Sequence, residues 1–103
     1  MAALHALARR EGALRRGKPA PGDLVFLSDR PGGLPEHVGM VERVGEGGTA
    51  TVLHRTGRGV VRLRVNAAQP WKARGDDGRI LNDVLVVGGG RVPVGRLLVA
   101  YAT

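Results

Sequence analysis

The chain of 103 residues contains no cysteine. It therefore has no disulfide bond, no thiolate metal site and no thiol nucleophile. This absence does not fix the compartment, because exported proteins can also lack cysteine. Aromatic residues are scarce as well, since Phe26, Trp71 and Tyr101 are the complete set. The core must therefore be built from Val, Leu, Ile, Ala and Met.

Long apolar runs are also missing. No run approaches the roughly 20 residues that a membrane-spanning helix needs, so no membrane span is predicted. The N-terminal stretch is not typical of a signal peptide, because His5, Arg9 and Arg10 interrupt it and Glu11 follows. A role in the cell envelope or outside the cell would require an export signal on a longer parent chain.

Basic residues are in excess: sixteen lysines and arginines stand against nine acidic residues, for a net charge of +7. Such a charge points to an anionic partner, which could be nucleic acid, anionic lipid or an anionic cell-wall polymer. Most arginines are scattered along the chain, which favours a solvated surface instead. The one dense cluster is Arg9, Arg10, Arg15, Arg16 and Lys18.

The length predicts a single domain over residues 1–103. Residues 2–16 are rich in alanine, leucine and arginine, which are good helix formers, so an N-terminal helix is predicted there. Gly17 suits the cap of this helix, and Pro19 and Pro21 prevent its continuation.

Six later segments are short apolar or alternating runs bounded by turn residues, and each is a predicted strand. They are residues 23–28, 37–44, 49–55, 59–65, 80–87 and 97–101, with 80–87 either a strand or a partly irregular segment. The sequence therefore predicts an α+β fold. Its N-terminal helix would precede a small, bent antiparallel sheet or barrel of five to six strands within the β-rich residues 22–103.

Alternation divides the side chains of the second predicted strand between two faces. We expect one face, directed into the core, to carry Val38, Met40 and Val44, and the other to carry His37, Gly39 and Val41.

Several polar or aromatic residues have a structural interpretation. Asp23 follows Pro-Gly and is expected to bond nearby backbone N–H groups and to fix the turn. Ser28 stands where the first strand ends, in a predicted turn, and is not expected to act as a nucleophile. Trp71 is expected to lie in the core beneath a loop, with stacking against a substrate as the alternative. Residues 75–78 predict a turn rather than a calcium loop.

No cofactor or metal is predicted. The three histidines have no zinc-site spacing and no cysteine beside them. Gly88–Gly90 lacks the strand-to-helix context and the Lys-Ser/Thr pair of a phosphate-binding loop.

Two histidines occupy neighbouring predicted strands. With a loop of about four residues centred on Gly45 and Glu46, His37 falls directly opposite His54, which places their Cβ atoms about 5 Å apart. One imidazole could then orient the other, as a histidine base requires. On spacing alone, two unrelated half-buried or surface histidines are the favoured explanation of the pattern.

The residues around the histidines carry a family resemblance. Pro-Gly-Asp-Leu-Val-Phe at 21–26, His-Val-Gly at 37–39 and Val-Leu-His at 52–54 follow one another in this order. This order resembles the C-terminal half of the CHAP and NlpC-type cysteine peptidases, papain-like hydrolases that cut peptidoglycan. The similarity runs over residues 17–66 and continues more weakly toward 82–83.

The resemblance implies that His37 is the base, that His54 orients it, and that their face opens toward the N-terminal helix. The position vacated by the family's cysteine would then lie among Ala2–Ala8. Because the nucleophile is missing, the resemblance implies a domain that is catalytically incomplete, either a fragment or a pseudoenzyme. Its partner would be peptidoglycan, and its location the cell envelope or the extracellular space.

Two other functions remain open. The first is a non-catalytic binding or assembly module, which would self-associate or bind a protein that covers the missing half, because exposed apolar surface tends to acquire a partner. The second is a basic small barrel that binds nucleic acid, although three aromatics offer few stacking platforms for bases.

Overall fold

The computed structural model describes residues 14–103. Eight strands and two short 3-10 turns make up this part of the chain. The strands are β1 (Leu14–Arg15), β2 (Leu24–Leu27), β3 (His37–Val44), β4 (Ala50–Thr56), β5 (Gly59–Val65), β6 (Val84–Val87), β7 (Gly90–Pro93) and β8 (Leu98–Ala102); the 3-10 turns are Glu46–Gly48 and Val94–Leu97.

The predicted α+β class with an N-terminal helix is wrong. The described residues form antiparallel sheets, and their only helical segments are the two 3-10 turns. Leu14 and Arg15, predicted to end the helix, instead pair with Ala102 and Tyr101 of β8. Hydrogen bonding to β8 thus overrides the good helix propensity of these residues. The rest of the predicted helix, residues 2–13, lies outside the described residues.

Six strands form one antiparallel sheet in the order β1-β8-β2-β3-β4-β5, and β6 and β7 form a separate hairpin. The strand prediction missed β1 and β7. It treated the glycines at 88–90 as a break, whereas Gly88 and Gly89 adopt positive φ angles and turn the chain from β6 into β7. Within residues 14–103, β1 and β5 do not pair with each other, so this sheet is open rather than a closed barrel.

The core lies against one face of the six-stranded sheet. Its buried members are mainly aliphatic, as the composition predicted: Val25, Leu27, Val41, Ala50, Val52, Leu63, Val65, Val94, Leu98 and Tyr101. Leu85 of the β6–β7 hairpin packs against this cluster. The hairpin is held there by Asp83, which exchanges hydrogen bonds with the backbone of Arg64 at the edge of the sheet.

The prediction for the two faces of β3 is wrong for residues 37–41 and confirmed for Val44, which packs against the core beyond the bulge at Glu42. Val41 is 1% exposed and belongs to the core, whereas Met40 is 48% exposed. Both faces carry aliphatic residues, so alternation alone could not tell which face is buried. The buried face is the one that carries His37 and Gly39, because the pleat places alternate residues on the same side.

The segment between β5 and β6 is fixed by two buried asparagines. Asn82 Oδ1 accepts the backbone N–H of Asn66 at 2.8 Å, and its Nδ2 donates to the carbonyls of Gln69 and Lys72, both at 2.9 Å. The predicted turn at 75–78 is confirmed by the hydrogen bond from Gly78 N–H to the Gly75 carbonyl. Regular strand structure begins only at Val84, later than predicted.

Asp23 has the structural role that the sequence predicted. Its carboxylate accepts the backbone N–H of Ala20 at 2.8 Å and forms an ion pair with Arg15. The expectation that Trp71 lies in the core is wrong, because this residue is 63% exposed.

Candidate functional site

The two strand histidines lie at one end of the core-facing side of the sheet. His37 is the first residue of β3 and pairs with Leu27 of β2, whose side chain is buried in the core. His54 lies near the end of β4 and pairs with Gly39. Because Gly39 and His37 are two residues apart on one strand, His37 and His54 share a face.

The predicted direct opposition of His37 and His54 is wrong by two residues. The β3–β4 turn spans Gly45–Thr49, closed by the Gly45 N–H to Thr49 carbonyl bond, and is longer than the loop assumed. A bulge at Glu42 then shifts the register back by one residue, which leaves the displacement of two. The histidines are therefore diagonal neighbours, an arrangement that still allows long or aromatic side chains to meet.

The two imidazole rings are in contact, as predicted. Their centroids lie 5.4 Å apart and their planes are inclined by 83°. This edge-to-face arrangement is a favourable geometry for aromatic rings. The proximity and the shared face are confirmed, while the assignment of His37 as base and His54 as orienter stays a prediction.

Gly39 permits this contact. A Cβ atom at this position would lie 2.6 Å from the Leu53 carbonyl oxygen and 2.8 Å from Cγ1 of Val52. Both distances are shorter than any normal contact, so a side chain here would push β3 away from β4. The His-Val-Gly sequence thus supplies a histidine together with the close strand approach that brings it to His54.

A carboxylate that the sequence analysis missed is the closest polar partner of the pair. Oδ1 of Asp29 lies 2.5 Å from Nε2 of His37. Asp29 belongs to the β2–β3 loop, which is folded back by the Ser28 N–H to Leu97 carbonyl bond and the Glu36 N–H to Leu27 carbonyl bond. Asp29 belongs to no recognisable motif. The only sequence signal for a role beside the histidines is its position just after a predicted strand.

Asp29 also interacts with Glu36 at the other end of the same loop. A hydrogen bond from the Glu36 carboxyl, followed by the hydrogen bond with His37, lowers the pKa of Asp29. The same pairing raises the pKa of Glu36, because its proton is shared with the carboxylate and the negative charge of Asp29 opposes a second ionisation. When the two share one proton, Asp29 carries the negative charge beside His37.

His54 differs from His37 in its surroundings. Burial lowers the pKa of His54, and positive charge on His37 lowers it further. Both effects favour the neutral imidazole. A neutral ring beside His37 can take part in hydrogen bonding without competing for the Asp29 carboxylate.

A pocket of about 260 Å³ adjoins the histidines. Its polar lining is Ser28, Asp29, His37 and His54, and its apolar lining is Leu27, Leu63, Leu85, Val86, Val87 and Leu97. The β6–β7 hairpin thus forms one wall and the end of the sheet forms another.

Ser28 has a structural role in this pocket. It is 3% exposed, and its Oγ accepts the backbone N–H of Arg30 at 3.1 Å. Its Oγ would also lie 2.2 Å from a Cβ atom at Gly33, so the loop is packed tightly against it. This environment agrees with the expectation that Ser28 is not the nucleophile.

Chemically, the cluster can hold a histidine base in one orientation. In the tautomer with its proton on Nε2, His37 donates to Asp29 and leaves Nδ1 as the proton acceptor. A residue that could attack a carbonyl carbon would have to approach Nδ1. The predicted nucleophile position among Ala2–Ala8 lies outside the described residues.

Two further findings concern the described part of the chain. Residues 14–103 contain no group of three or more histidine, aspartate or glutamate side chains able to hold a metal ion. The same residues include no helix with the length and hydrophobicity needed to cross a bilayer.

In comparisons with protein-family models, with curated proteins and with solved structures, nothing matched this chain.

Proposed function

We propose that this chain is a cysteine-less relative of the CHAP and NlpC-type peptidoglycan hydrolases. It keeps the base end of the catalytic centre, with His37 as the base, and it does not cleave peptidoglycan by itself. The site would still bind the peptide part of peptidoglycan. The family's nucleophile would form a thioester, and no residue of this chain can do so because cysteine is absent.

One observation carries the proposal. His37 contacts both His54, at 5.4 Å between ring centroids, and the Asp29 carboxylate, at 2.5 Å, on a pocket wall. A carboxylate that fixes the tautomer of a histidine, beside a cavity that admits a ligand, is an arrangement that general-base catalysis uses. Two unrelated surface histidines would need neither the carboxylate nor the pocket.

The peptide ligand fits the pocket by its chemistry. The apolar walls suit small aliphatic side chains, and the imidazoles and the Asp29 carboxylate suit amide and ammonium groups.

The test combines an activity assay with a binding assay. The purified chain should release no soluble fragments from peptidoglycan. Muropeptides, the disaccharide–peptide fragments of peptidoglycan, should shift the ring-proton NMR signals of His37 and His54. The chain has three histidines, so His37→Gln and His54→Gln variants assign these signals and His5 serves as the reference.

Two results would overturn the proposal. One is peptidoglycan hydrolysis that is lost in His37→Ala, which would mean that the chain is a complete enzyme. The other is the absence of any shift at His37 and His54 in the presence of saturating muropeptides.

A second candidate function is a non-catalytic assembly module, and exposed apolar residues on the strands and loops that form the histidine pocket favour it. Val86 on the hairpin is 78% exposed, Leu34 in the loop that carries Asp29 is 77% exposed, and Val61 opposite His54 is 39% exposed. Such a rim is typical of a surface that another protein covers.

Light scattering across a range of concentrations distinguishes this candidate. A module of this kind should self-associate or elute with a partner, and a Leu34→Ser, Val86→Ser double variant should be monomeric. A wild-type chain that is monodisperse and monomeric at high concentration, without a partner, would remove this candidate.

A further inference from the structure

A second concave site lies on the part of the molecule away from the histidine pocket. It is an open groove of about 820 Å³, and none of its lining residues lines the histidine pocket. One side is a cross-strand row formed by Arg43, Thr51 and Arg64, which pair with one another across β3, β4 and β5. The other side is the segment 69–81 that precedes β6. The volume is within the usual range for ligand sites.

The charges of this groove are nearly balanced, unlike those of the whole chain. Its cationic side chains are Arg43, Arg64, Lys72 and Arg79, and its carboxylates are Glu46, Asp76 and Asp77.

Most of these cations already have carboxylate partners. Lys72 lies 4.0 Å from Asp76, and Arg79 lies 3.5 Å from Asp77. Arg64 pairs with Asp83 at 3.6 Å. A polyanion would therefore meet paired cations and several carboxylates, so the net charge of +7 is not concentrated here.

The only tryptophan of the chain, Trp71, is not itself a lining residue, but it belongs to a turn whose neighbouring residues line this groove. Trp71 lies at the corner of a turn closed by the hydrogen bond from Lys72 N–H to the Gln69 carbonyl, and both Gln69 and Lys72 line the groove. Trp71 is 63% exposed. An exposed aromatic ring in a turn that borders a polar groove is a suitable binding element, because it offers an apolar surface at little entropic cost.

We propose that this groove binds a neutral or weakly charged carbohydrate chain, with Trp71 stacking on the apolar face of a sugar ring. A sugar hydroxyl both donates and accepts hydrogen bonds, so it is served by alternating guanidinium donors and carboxylate acceptors. The groove supplies a guanidinium and a carboxylate at Arg79 and Asp77 on one side, and a guanidinium and a hydroxyl at Arg43 and Thr51 on the other. The inference does not depend on the proposed function of the histidine site.

Nucleic acid is the competing ligand, and the charges disfavour it. Binding of nucleic acid draws on unpaired cations that neutralise phosphates and release counterions. Among residues 14–103, Arg43 is the groove cation that forms no ion pair. The Glu46, Asp76 and Asp77 carboxylates would in addition repel the phosphates.

Intrinsic fluorescence tests the proposal directly, because Trp71 is the only tryptophan emitter. Chitin oligosaccharides and cellulose oligosaccharides are titrated into the full chain, with calorimetry in parallel. We expect a saturable change in emission with at least one of the two, and a loss of affinity of about tenfold or more in Trp71→Ala measured by calorimetry. Val60→Ala, which removes an apolar side chain of nearly equal exposure on β5, outside the groove lining, should bind as the wild type does.

Two results would overturn it. One is no saturable response to either oligosaccharide. The other is equal affinity of the wild type and Trp71→Ala for the sugar. Binding of single-stranded DNA that weakens steeply with salt, without any sugar response, would assign the groove to nucleic acid. A Trp71→Ala variant that still shows muropeptide shifts at His37 and His54 separates failure here from failure of the proposed function.

Discussion

Two polar clusters in this molecule differ in how completely their hydrogen-bonding groups are used. Asn66 and Asn82 are 2% and 0% exposed, and the Asn82 side chain bonds to four backbone groups. Asp29 and His37 have side chains that are 58% and 44% exposed, and they share one contact. The asparagine cluster has little capacity left for a ligand, whereas the histidine cluster keeps free donors and acceptors.

This difference distinguishes the asparagines, which hold the chain in place, from the histidine cluster that we propose binds a ligand. A buried polar group must be satisfied within the protein, so its partners are fixed and its role is to hold the chain in place. An exposed carboxylate–imidazole pair gains little stability from its contact. Its polar groups therefore remain accessible to a ligand, as the proposed function requires.

The largest loss of stability is expected when a side chain of the asparagine cluster is removed. Asn82→Ala leaves the Asn66 N–H and the Gln69 and Lys72 carbonyls without their partner in the interior. Each such loss costs about 1–3 kcal/mol, so we expect a destabilisation of about 3 kcal/mol or more. Chemical denaturation measures it, with Asp76→Ala at a fully exposed position as the control, which should stay within about 0.5 kcal/mol of the wild type.

A smaller effect is expected at Gly39, which connects the sheet to the histidine cluster. Gly39→Ala should cost about 1–3 kcal/mol, because its Cβ would overlap the backbone of β4. It should also separate the two imidazoles and weaken the influence of His37 on the pKa of His54. Gly57→Ala is the matched control, since a Cβ atom there meets nothing within 4 Å. Equal stability of the two variants would contradict the close approach of β3 and β4.

The next largest effect is the loss of stability that acidification should cause through His54. Because the pKa of His54 is lowered in the folded protein, the unfolded chain binds more protons once the pH falls below about 6.5. The contribution of His54 to stability is therefore present above that pH and is lost as the pH falls toward the folded pKa. Denaturation midpoints at about pH 7.5 and pH 5.5 should differ more for the wild type than for His54→Gln.

The two causes of the lowered pKa of His54, burial and the charge of His37, can be measured separately. His37→Gln should raise the pKa of His54 only part of the way to its ordinary value, because burial is the larger cause. Full recovery in an NMR titration would show that charge repulsion, rather than burial, dominates.

The smallest change in stability is expected at a buried polar group that, unlike the asparagines, has no hydrogen-bond partner among the described residues. The Tyr101 hydroxyl is buried without a hydrogen-bond partner among the described residues, and burial raises its pKa to about 12. Tyr101→Phe removes this group at almost constant volume, so stability at neutral pH should change by less than about 1 kcal/mol, in the stabilising direction.

High pH offers the second measurement on Tyr101. Its raised pKa means that the folded state keeps the phenolic proton longer, so wild-type stability should fall as the pH rises from about 10 toward 12. Tyr101→Phe should lack this part of the loss. An equal alkaline loss in both proteins would show that Tyr101 is not the group responsible.

The sequence was sufficient to predict most strands because their boundaries are local. The runs at 37–44 and 59–65 correspond to β3 and β5, and the turn roles of Asp23 and of residues 75–78 also follow from local residue types. β1 could not be predicted, because Leu14 and Arg15 favour a helix and only the distant β8 turns them into a strand.

The candidate site was predicted in part for the same reason. The proximity of His37 and His54 follows from hairpin pairing, but the register depends on the Glu42 bulge and on the long turn after it, which have no clear sequence mark. Asp29 reaches His37 only because the β2–β3 loop folds back. The exposure of Trp71 likewise depends on how the 66–82 segment packs rather than on local sequence.

The central claim is that Asp29 holds His37 through Nε2 and leaves Nδ1 free as a base. Long-range ¹H–¹⁵N correlation spectra of the imidazoles, recorded on the neutral rings, identify which nitrogen carries the proton. The account predicts that His37 carries it on Nε2 in the wild type and that Asp29→Ala weakens this preference, while the His54 signals change less. A His37 proton on Nδ1, or a tautomer that is unchanged in Asp29→Ala, would contradict the claim.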